Sequence, residues 1–229
     1  SSSGSTALGY QTVSSGINST AMGSLTEASG NVATAIGLLT IASAQSSTAI
    51  GDHTTADGAY STAMWRYVST DGKTGSFIIG DNSSSTTTHV NDDYNQMMMR
   101  FAGGYKLFSS ADATVGVSLA AGGSSWNTIS DRRKKENFAP VNGEDFLKKI
   151  HNFSLTSWNY KGQDAKHYRH YGPMAQDFYA AFGKDNYGTV GNDTTISQAD
   201  MEGVSFVAIQ ALVKRTQELL NKNEKMQQE

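Results

Sequence analysis

The sequence Thr20-Ala21-Met22-Gly23 belongs to a pattern that returns at a constant fourteen-residue spacing without an insertion. The other copies are Thr6-Ala7-Leu8-Gly9, Thr34-Ala35-Ile36-Gly37, Thr48-Ala49-Ile50-Gly51 and Thr62-Ala63-Met64-Trp65, the last with Trp in place of Gly. Two further columns keep step with them, namely Gly16, Gly30, Gly58 and Gly72, broken by Ala44, and Ala28, Ala42 and Ala56. So many columns in step indicate a structural repeat rather than a low-complexity linker.

Such a fixed short period predicts a solenoid in which each repeat forms one coil. Fourteen residues are too few for a pair of helices, but they suit two short strands and two tight turns, with Gly where a positive φ is needed. Five coils spaced by about 4.8 Å would rise roughly 24 Å. Because one thin coil has little interior, we expect the apolar column to lie in a core that chains share. That column is Leu8, Met22, Ile36, Ile50 and Met64.

Residues 5–76 resemble the head of trimeric autotransporter adhesins in this Ala-x-Gly pattern at 14-residue spacing. That family folds as a left-handed parallel β-roll with three chains side by side. The resemblance therefore implies a homotrimer and a surface-exposed, often adhesive fibre, whose expected partner is a glycan or protein receptor on a host or prey surface. An ice-binding solenoid is the alternative, because Thr also recurs in a column, but a flat array would need a second Thr column on one face.

Charge divides the chain near Ser130. The 18 basic and 21 acidic side chains give a formal charge of −3, which argues against a nucleic-acid binder driven by bulk charge. Residues 1–129 hold 12 of these charges and residues 130–229 hold 27. The absence of Cys excludes a disulfide framework, and no apolar run of about 18 residues predicts a membrane span. The chain opens in mid-pattern with no signal of its own, so we expect a fragment of something longer.

Residues 77–129 lack the 14-residue pattern and are predicted to form a β-rich module within the trimer. Strands are expected at residues 77–80 and 115–119. Residues 97–102 and 105–108 flank Gly103-Gly104, which predicts a β-hairpin. Residues 91–93, Asn-Asp-Asp, lack calcium-loop spacing and are expected to form a solvated turn. Three Trp residues are expected to serve in packing, namely Trp65, Trp126 and Trp158.

The segment 130–137, Ser-Asp-Arg-Arg-Lys-Lys-Glu-Asn, carries chemistry at the composition break. Its four consecutive cations invite a nucleic-acid or targeting interpretation, but the run is short and the flanking region is nearly neutral. The alternative is a pair of Ser130 and Lys135, in which the amine serves as base for the hydroxyl. The neighbouring cations would favour the neutral amine that such a base requires.

The whole segment resembles the start of the intramolecular chaperone auto-processing domain that ends many phage tailspikes and tail fibres. The residues that carry the resemblance are Ser130, Asp131, Arg133, Lys135 and Asn137. The match continues to about residue 220 through the segments 158–160 (Trp-Asn-Tyr), 171–178 (Tyr-Gly-Pro-Met-Ala-Gln-Asp-Phe) and 203–212. In that family three chains assemble, and the domain then cuts itself off at the bond before the motif serine.

Carried over residue by residue, this resemblance implies that the scissile bond joins Ile129 to Ser130. Ser130 would attack the preceding carbonyl in an N-to-O shift, with Lys135 as the base. Asp131, Arg133 and Asn137 would hold the loop. The oxyanion donors are not assigned by the sequence.

The rest of the second half predicts an α+β fold. Asn142 is expected to cap a helix that runs to Ile150, strands are expected at residues 155–160 and 166–171, and Pro173 is expected to start a helix that ends at Gly183. A last helix at residues 201–228 shows a heptad seam, typical of a coiled coil, and a helix packed on its own domain is the alternative. The seam is Ile209, Leu212, Thr216, Leu219, Asn223 and Met226, in which Asn223 would suit register control in a parallel trimer.

We therefore predict a mainly β fibrous trimer, with β-roll head repeats at residues 1–76, the β-rich module at 77–129 and a chaperone domain at 130–229 that ends in a trimeric coiled-coil helix. Its predicted function is that of the C-terminal part of a surface or tail-fibre adhesin, whose chaperone domain drives assembly and then cuts its own chain once as a Ser–Lys endopeptidase. A non-cleaving trimerisation clamp is the alternative. The predicted location is extracellular, on a cell surface or a phage-like fibre. No cofactor, nucleic acid or membrane insertion is predicted, and no metal, because His167 and His170 offer only two ligands.

Overall fold

The computed structural model describes residues 2–84 and 86–228. The chain divides into two compact units, and the division falls between Ile129 and Ser130. The first unit is built of β-strands, whereas the second combines helices with two short strands.

Parallel strands stacked in register form most of the first unit, which confirms the predicted β-solenoid. The strands of this unit are β1 Thr6–Tyr10, β2 Val13–Ser14, β3 Thr20–Ser24, β4 Glu27–Ala28, β5 Thr34–Leu38, β6 Ile41–Ala42, β7 Thr48–Ala56, β8 Thr62–Ser69, β9 Phe77–Gly80, β10 His89–Val90, β11 Met97–Arg100, β12 Gly104–Phe108, β13 Gly116–Ala120 and β14 Asn127–Thr128. The longer strands form one row, in which each residue of the repeat lies beside the equivalent residue of the next coil; these strands are β1, β3, β5, β7 and β8. The short strands form a second row, and β7 and β8 run through both rows.

The interior of the coils holds small side chains. The wholly buried alanines of the described chain are Ala21, Ala28, Ala33, Ala35, Ala42, Ala49, Ala56 and Ala63. Ser19, Ser47 and Ser61 are also buried, and each hydroxyl donates to the carbonyl oxygen three residues earlier, at 2.8, 2.8 and 2.6 Å. These hydrogen bonds satisfy the three serine hydroxyls, so the interior of the coils is partly polar.

Repeated glycines allow neighbouring coils to lie close together. Gly9, Gly23, Gly37 and Gly51 have φ between +126° and +139°, and a Cβ atom on any of them would lie 1.8–2.0 Å from a carbonyl oxygen of the next coil. The tight corners are different, because their left-handed φ of 48–55° belongs to non-glycine residues, namely Gln11, Leu25, Leu39, His53 and Tyr67. The expectation that Gly supplies the positive φ of the turns is therefore wrong for these corners.

The stack of strands runs past residue 76, where the sequence placed its end. β9 pairs with β8, and β11 pairs with β9, in both cases parallel and in register. The predicted hairpin across Gly103-Gly104 is therefore wrong, because β11 joins the solenoid and β12 pairs instead with β13 in an antiparallel sheet that β14 completes. The physical reason is burial, since Ile78 in β9 is fully buried and Met98 packs against the same core.

Two smaller expectations for the first unit also change. Asn91 is fully buried rather than part of a solvated turn, and its amide donates to Gln96 Oε1 at 3.0 Å. This hydrogen bond holds the loop that leads into β11. Trp65 and Trp126 are 57% and 50% exposed, so neither is a core packing residue of the described chain.

The second unit begins with a 3₁₀ turn at Arg132–Lys134 and is otherwise α+β. Its remaining elements are α1 Gly143–His151, β15 Thr156–Trp158, β16 His170–Gly172, α2 Ala175–Phe182 and α3 Gln198–Gln228. Asn142 caps α1 as expected, with its side chain accepting a hydrogen bond from the backbone N–H of Glu144. β15 and β16 pair antiparallel but are shorter than predicted.

Aromatic side chains form the core of the second unit. Phe178 and Phe182 of α2 are buried, and the ring of Phe182 lies 4.9 Å from that of Phe146 on α1 and 5.9 Å from that of Phe153. Ala208 and Ala211 of α3 are also buried. The opposite face of α3 is thereby left outside this core.

Candidate functional site

A single 3₁₀ turn brings Ser130 and Lys135 together. The backbone N–H of Lys134 donates to the carbonyl oxygen of Asp131, and that of Lys135 donates to the carbonyl oxygen of Arg132. The ammonium Nζ of Lys135 consequently reaches Ser130 Oγ at 2.8 Å. This distance lies within the range that a base needs to take a proton from a hydroxyl. Both side chains are exposed in the single chain.

Asp131 and Arg133 fix this turn. The Asp131 carboxylate caps it by accepting the backbone N–H of Arg133 at 2.9 Å. The Arg133 guanidinium also donates to both carboxylate oxygens, with Nη2 at 2.7 Å from Oδ2. The hydrogen bond from the Arg133 side chain lowers the pKa of Asp131, and the same contact raises the pKa of Arg133. Arg133, one of the three cations that precede Lys135, is therefore paired with the Asp131 carboxylate and is not directed at the Lys135 amine.

The remaining motif residues lie at the two ends of the segment. Ile129 ends the first unit half-buried, with its backbone N–H donating to Gly116 O at 3.4 Å. Asn137 is exposed and has φ +56°, a left-handed conformation that Asn tolerates better than most residues. Its visible role is to turn the chain after the Ser–Lys pair. The turn thus brings Ser130, Asp131, Arg133 and Lys135 together.

The predicted seam lies along one exposed stripe of α3. The exposed fractions of Ile209, Leu212, Leu219 and Met226 are 56%, 50%, 62% and 65%. Thr216 fits this apolar stripe, because its hydroxyl donates to Leu212 O at 2.9 Å within the helix. Asn223 is exposed on the same stripe.

Sequence reasoning missed three further apolar residues beside this seam. Phe206, Val213 and Leu220 are 73%, 65% and 51% exposed, and each follows a d position of the heptad by one residue. The signal was present in the sequence, because these residues recur at seven-residue spacing. They widen the apolar stripe beyond the two columns of a simple seam.

The other face of α3 is fastened to α1. Gly143 approaches Ala211 so closely that a Cβ atom on the glycine would lie 2.7 Å from the alanine Cβ. Arg215 Nε donates to both carboxylate oxygens of Glu144 at 2.9 Å. The hydrogen bond from Arg215 lowers the pKa of Glu144. The exposed stripe is thus held in a fixed orientation within its own unit.

The solenoid carries a second unpartnered apolar surface. Strand register places seven residues in one column, which we name the apolar ladder: Leu8, Met22, Ile36, Ile50, Met64, Ile79 and Met99. Leu8, Met22 and Met99 towards the ends of the ladder are 59%, 39% and 42% exposed, and the four rungs between them are half-buried, whereas the repeat alanine beside each rung in the inner coils is wholly buried. The ladder therefore lies outside the chain's own core, as the sequence predicted, and it is two residues longer than expected.

The two histidines of the second unit have separate partners. His167 Nδ1 lies 2.7 Å from Asp164 Oδ2, and His170 stacks on Trp158 at 4.8 Å between ring centroids. Within residues 2–84 and 86–228, no group of three or more His, Asp or Glu side chains is arranged to hold a metal ion. None of the helices in the described part of the chain is long and apolar enough to span a membrane.

Comparison with family models matches both halves of the chain. Residues 1–26, 14–40 and 42–64 match the model described as the YadA head domain repeat. Residues 130–186 match the model described as chaperone of endosialidase. A comparison with curated proteins gave no match.

These matches confirm the two resemblances that the sequence indicated. Residues 1–40 and 42–64 are thus similar to head repeats of trimeric autotransporter adhesins, and residues 130–186 are similar to the chaperone of endosialidase. Together they support a trimeric adhesin or tail fibre with a chaperone, located on a surface or a fibre.

Proposed function

We propose that this chain forms a homotrimeric surface or tail-fibre adhesin, whose chaperone module assembles three chains and then cuts each chain between Ile129 and Ser130. The observation that carries the proposal is the 2.8 Å contact between Ser130 Oγ and Lys135 Nζ. The Ile129–Ser130 bond joins the last residue of the first unit to the first residue of the second, so a cut there would divide the chain between its two compact units.

Assembly rests on two apolar surfaces that the single chain leaves exposed. On α3, the seam and the three residues beside it make a stripe wide enough for each helix to contact two others, as in a three-helix coiled coil. Burying the exposed part of these large side chains would contribute roughly 1 kcal/mol each. The apolar ladder would extend the same association along the solenoid.

The cleavage chemistry needs only groups of this chain and one water molecule. Lys135, as the neutral amine, takes the proton of Ser130 Oγ, which attacks the carbonyl carbon of Ile129. The C–N bond breaks as an ester forms between Ile129 and Ser130 Oγ, and the released amine of Ser130 receives the proton from Lys135. Water then hydrolyses the ester, which leaves a carboxyl group on Ile129 and restores the Ser130 hydroxyl.

Assembly would switch this chemistry on. In the single chain the Ser–Lys pair is exposed to water. Contact with the other chains would remove water from the pair and favour the neutral amine. We therefore expect cleavage to follow trimerisation rather than precede it.

A non-cleaving trimerisation clamp is the second candidate. The exposure of the Ser–Lys pair and the engagement of Arg133 by Asp131 favour it, because both reduce the activation of Lys135. In that case the same seam would assemble the fibre and the chain would stay whole.

Denaturing gels and mass spectrometry of freshly expressed protein distinguish these candidates. We expect two fragments, residues 1–129 and residues 130–229, the second beginning Ser-Asp-Arg-Arg. Ser130→Ala and Lys135→Ala should each leave the chain whole, while light scattering still gives about three times 24.5 kDa. Lys134→Ala is the matched control, because it removes a neighbouring cation and spares the pair, and it should still be cut. A wild-type trimer that stays whole on prolonged incubation refutes the protease and supports the clamp.

A further inference from the structure

The repeat is interrupted on one side of the last two 14-residue coils. The residues concerned form what we name the coil-4/5 cluster: Asp52, His53, Trp65, Arg66 and Tyr67. The register places Asp52 beside Arg66, in a column where the second and third coils hold Ser24 and Leu38. At the following corner, the second and third coils hold Leu25 and Leu39, whereas the fourth and fifth hold His53 and Tyr67. Polar and aromatic side chains thus replace the small or apolar ones of the second and third coils, whereas the first coil holds Tyr10 and Gln11 at these positions.

Four members of the coil-4/5 cluster hold one another in place, namely Asp52, His53, Arg66 and Tyr67. Asp52 accepts from Arg66 Nε at 2.9 Å and also contacts His53 Nδ1. The His53 ring stacks on the Tyr67 ring at 4.6 Å, and the Arg66 guanidinium lies 5.2 Å from the Tyr67 centroid. Arg66 Nη1 donates to Asn82 Oδ1. Arg66 Nη2 and His53 Nε2 make no hydrogen bond within the part of the chain that the structure describes.

Trp65 directly precedes Arg66 in β8 and presents an exposed indole. It is 57% exposed, and its φ of +83° lies in the region that favours glycine, which is the residue of the other four copies. A bulky residue at such a φ costs about 1–3 kcal/mol, and strain of this kind is concentrated at functional sites. The fold does not need the indole here, because the four preceding coils stack through Gly at this column.

We propose that the coil-4/5 cluster is a binding site for a neutral glycan. This inference rests on the proposed adhesive role of the head and names the receptor class and the residues that recognise it. The indole would receive the C–H face of a sugar ring. Asp52 and Arg66, oriented by their contacts, would accept from and donate to neighbouring hydroxyl groups.

Size and charge favour this ligand over others. Two coils about 4.8 Å apart and three residues along a strand make a patch of the order of 100–200 Å². A stable protein–protein interface buries about 800 Å² on each partner, so the cluster is too small for a protein receptor of its own. Residues 1–129 carry four basic and eight acidic side chains, and this formal charge of −4 disfavours sulfated or sialylated glycans.

The test uses an array of neutral β-linked oligosaccharides of glucose, galactose and N-acetylglucosamine, with sulfated glycans as a comparison set. The best ligand is then titrated by calorimetry against the full-length trimer. Trp65→Gly restores the residue of the other repeats and relieves the positive φ, so it should keep the melting temperature and weaken binding at least tenfold. The double variant Asp52→Leu with Arg66→Ser removes both charges together and should have a similar effect. Tyr60→Ser is the control, because Tyr60 is 61% exposed at the other corner of the fourth coil.

The outcomes separate this inference from the proposed function. Loss of neutral-glycan binding in Trp65→Gly but not in Tyr60→Ser supports the site. Glycan binding that survives Trp65→Gly overturns the site and leaves the adhesive role intact. Binding only to sulfated glycans, or no glycan binding by the wild-type trimer, overturns the ligand class. Trimer mass and cleavage, measured on the same samples, report the assembly function independently.

Discussion

Replacing Leu219 by Asp tests whether the α3 seam assembles the trimer and thereby triggers cleavage. Leu219 leaves 62% of its surface exposed in the single chain, at a d position of the seam. Complete burial of a Leu side chain is worth roughly 2 kcal/mol, so the exposed part would contribute about 1 kcal/mol per chain on assembly. The variant loses this term three times in a trimer and also places three carboxylates together in a dry seam.

The total loss of association free energy exceeds about 5 kcal/mol for the trimer, because burying the carboxylates costs more than losing the apolar contacts. Each 1.4 kcal/mol is a factor of about ten in an equilibrium constant. We therefore expect the variant to be monomeric at a micromolar concentration that keeps the wild type trimeric. Cleavage should slow in parallel, because the Ser–Lys pair would stay exposed.

Light scattering and a time course on denaturing gels measure the two effects in the same sample. Asn221→Asp is the matched control, since it adds the same charge two residues away at an outward position, where Gln217 can still donate to it. Circular dichroism checks that α3 remains helical in both variants. A Leu219→Asp trimer at micromolar concentration refutes the seam, and a Leu219→Asp monomer that is cut at the wild-type rate refutes the coupling.

Two further predictions concern the head. Gly37→Ala should destabilise the head by more than about 3 kcal/mol and lower its melting temperature sharply, because the new Cβ would lie 1.9 Å from Gly51 O. Gly72→Ala is the control and should cost about 1 kcal/mol, because Gly72 has φ +70° but open space around it. Equal melting temperatures of the two variants in a calorimetric scan would show that the coils can separate freely. The head should also lose stability between pH 4 and pH 2, because the pKa of Asp81 is lowered from 3.8 to about 2. The main cause is the hydrogen bond from the Ser83 side chain; desolvation opposes it, and the Ala102 N–H and Arg100 add to it. A pKa depressed in the folded state stabilises the fold above the unfolded value and ceases to do so as pH falls through the folded value. Thermal scans at pH 5 and pH 2.5 should therefore show a smaller loss in Asp81→Asn than in the wild type, and an equal loss would contradict this role.

The solenoid could be read from the sequence because its columns are set by physical constraints that repeat with each coil. The glycine and alanine columns follow from close approach and a thin interior, and both appear as letters at a fixed spacing. The end of the stack could not be read in this way. Phe77 of β9 lies beside Thr62, and Met97 of β11 lies beside Phe77, so both steps are longer than the repeat. The loop before β11 folds around the buried Asn91. A search for a strict 14-residue period does not detect a coil whose connecting loop is longer.

The Ser–Lys pair could be predicted from its motif, but its setting could not. The sequence showed four cations in a row, whereas the structure shows Arg133 held by Asp131 through two hydrogen-bonded oxygens. The coil-4/5 cluster was missed for a different reason. Trp65 was visible as the one departure from Gly, yet its meaning depends on Asp52 and His53 of the preceding coil, which only the coil geometry brings beside it.

The apolar ladder explains why such a head needs a separate assembly module. Its rungs are chemically similar and recur once in each coil, so three chains could dock one coil out of step and still match most of their rungs. A register that is weakly specified along the solenoid must be set elsewhere. The α3 stripe can set it, because Thr216 and Asn223 occur once each in an otherwise apolar seam, and a polar residue at an a position penalises a shifted alignment. The proposed cleavage after assembly would then remove the part that set the register, and heads that later separated could no longer use it to reassemble in register.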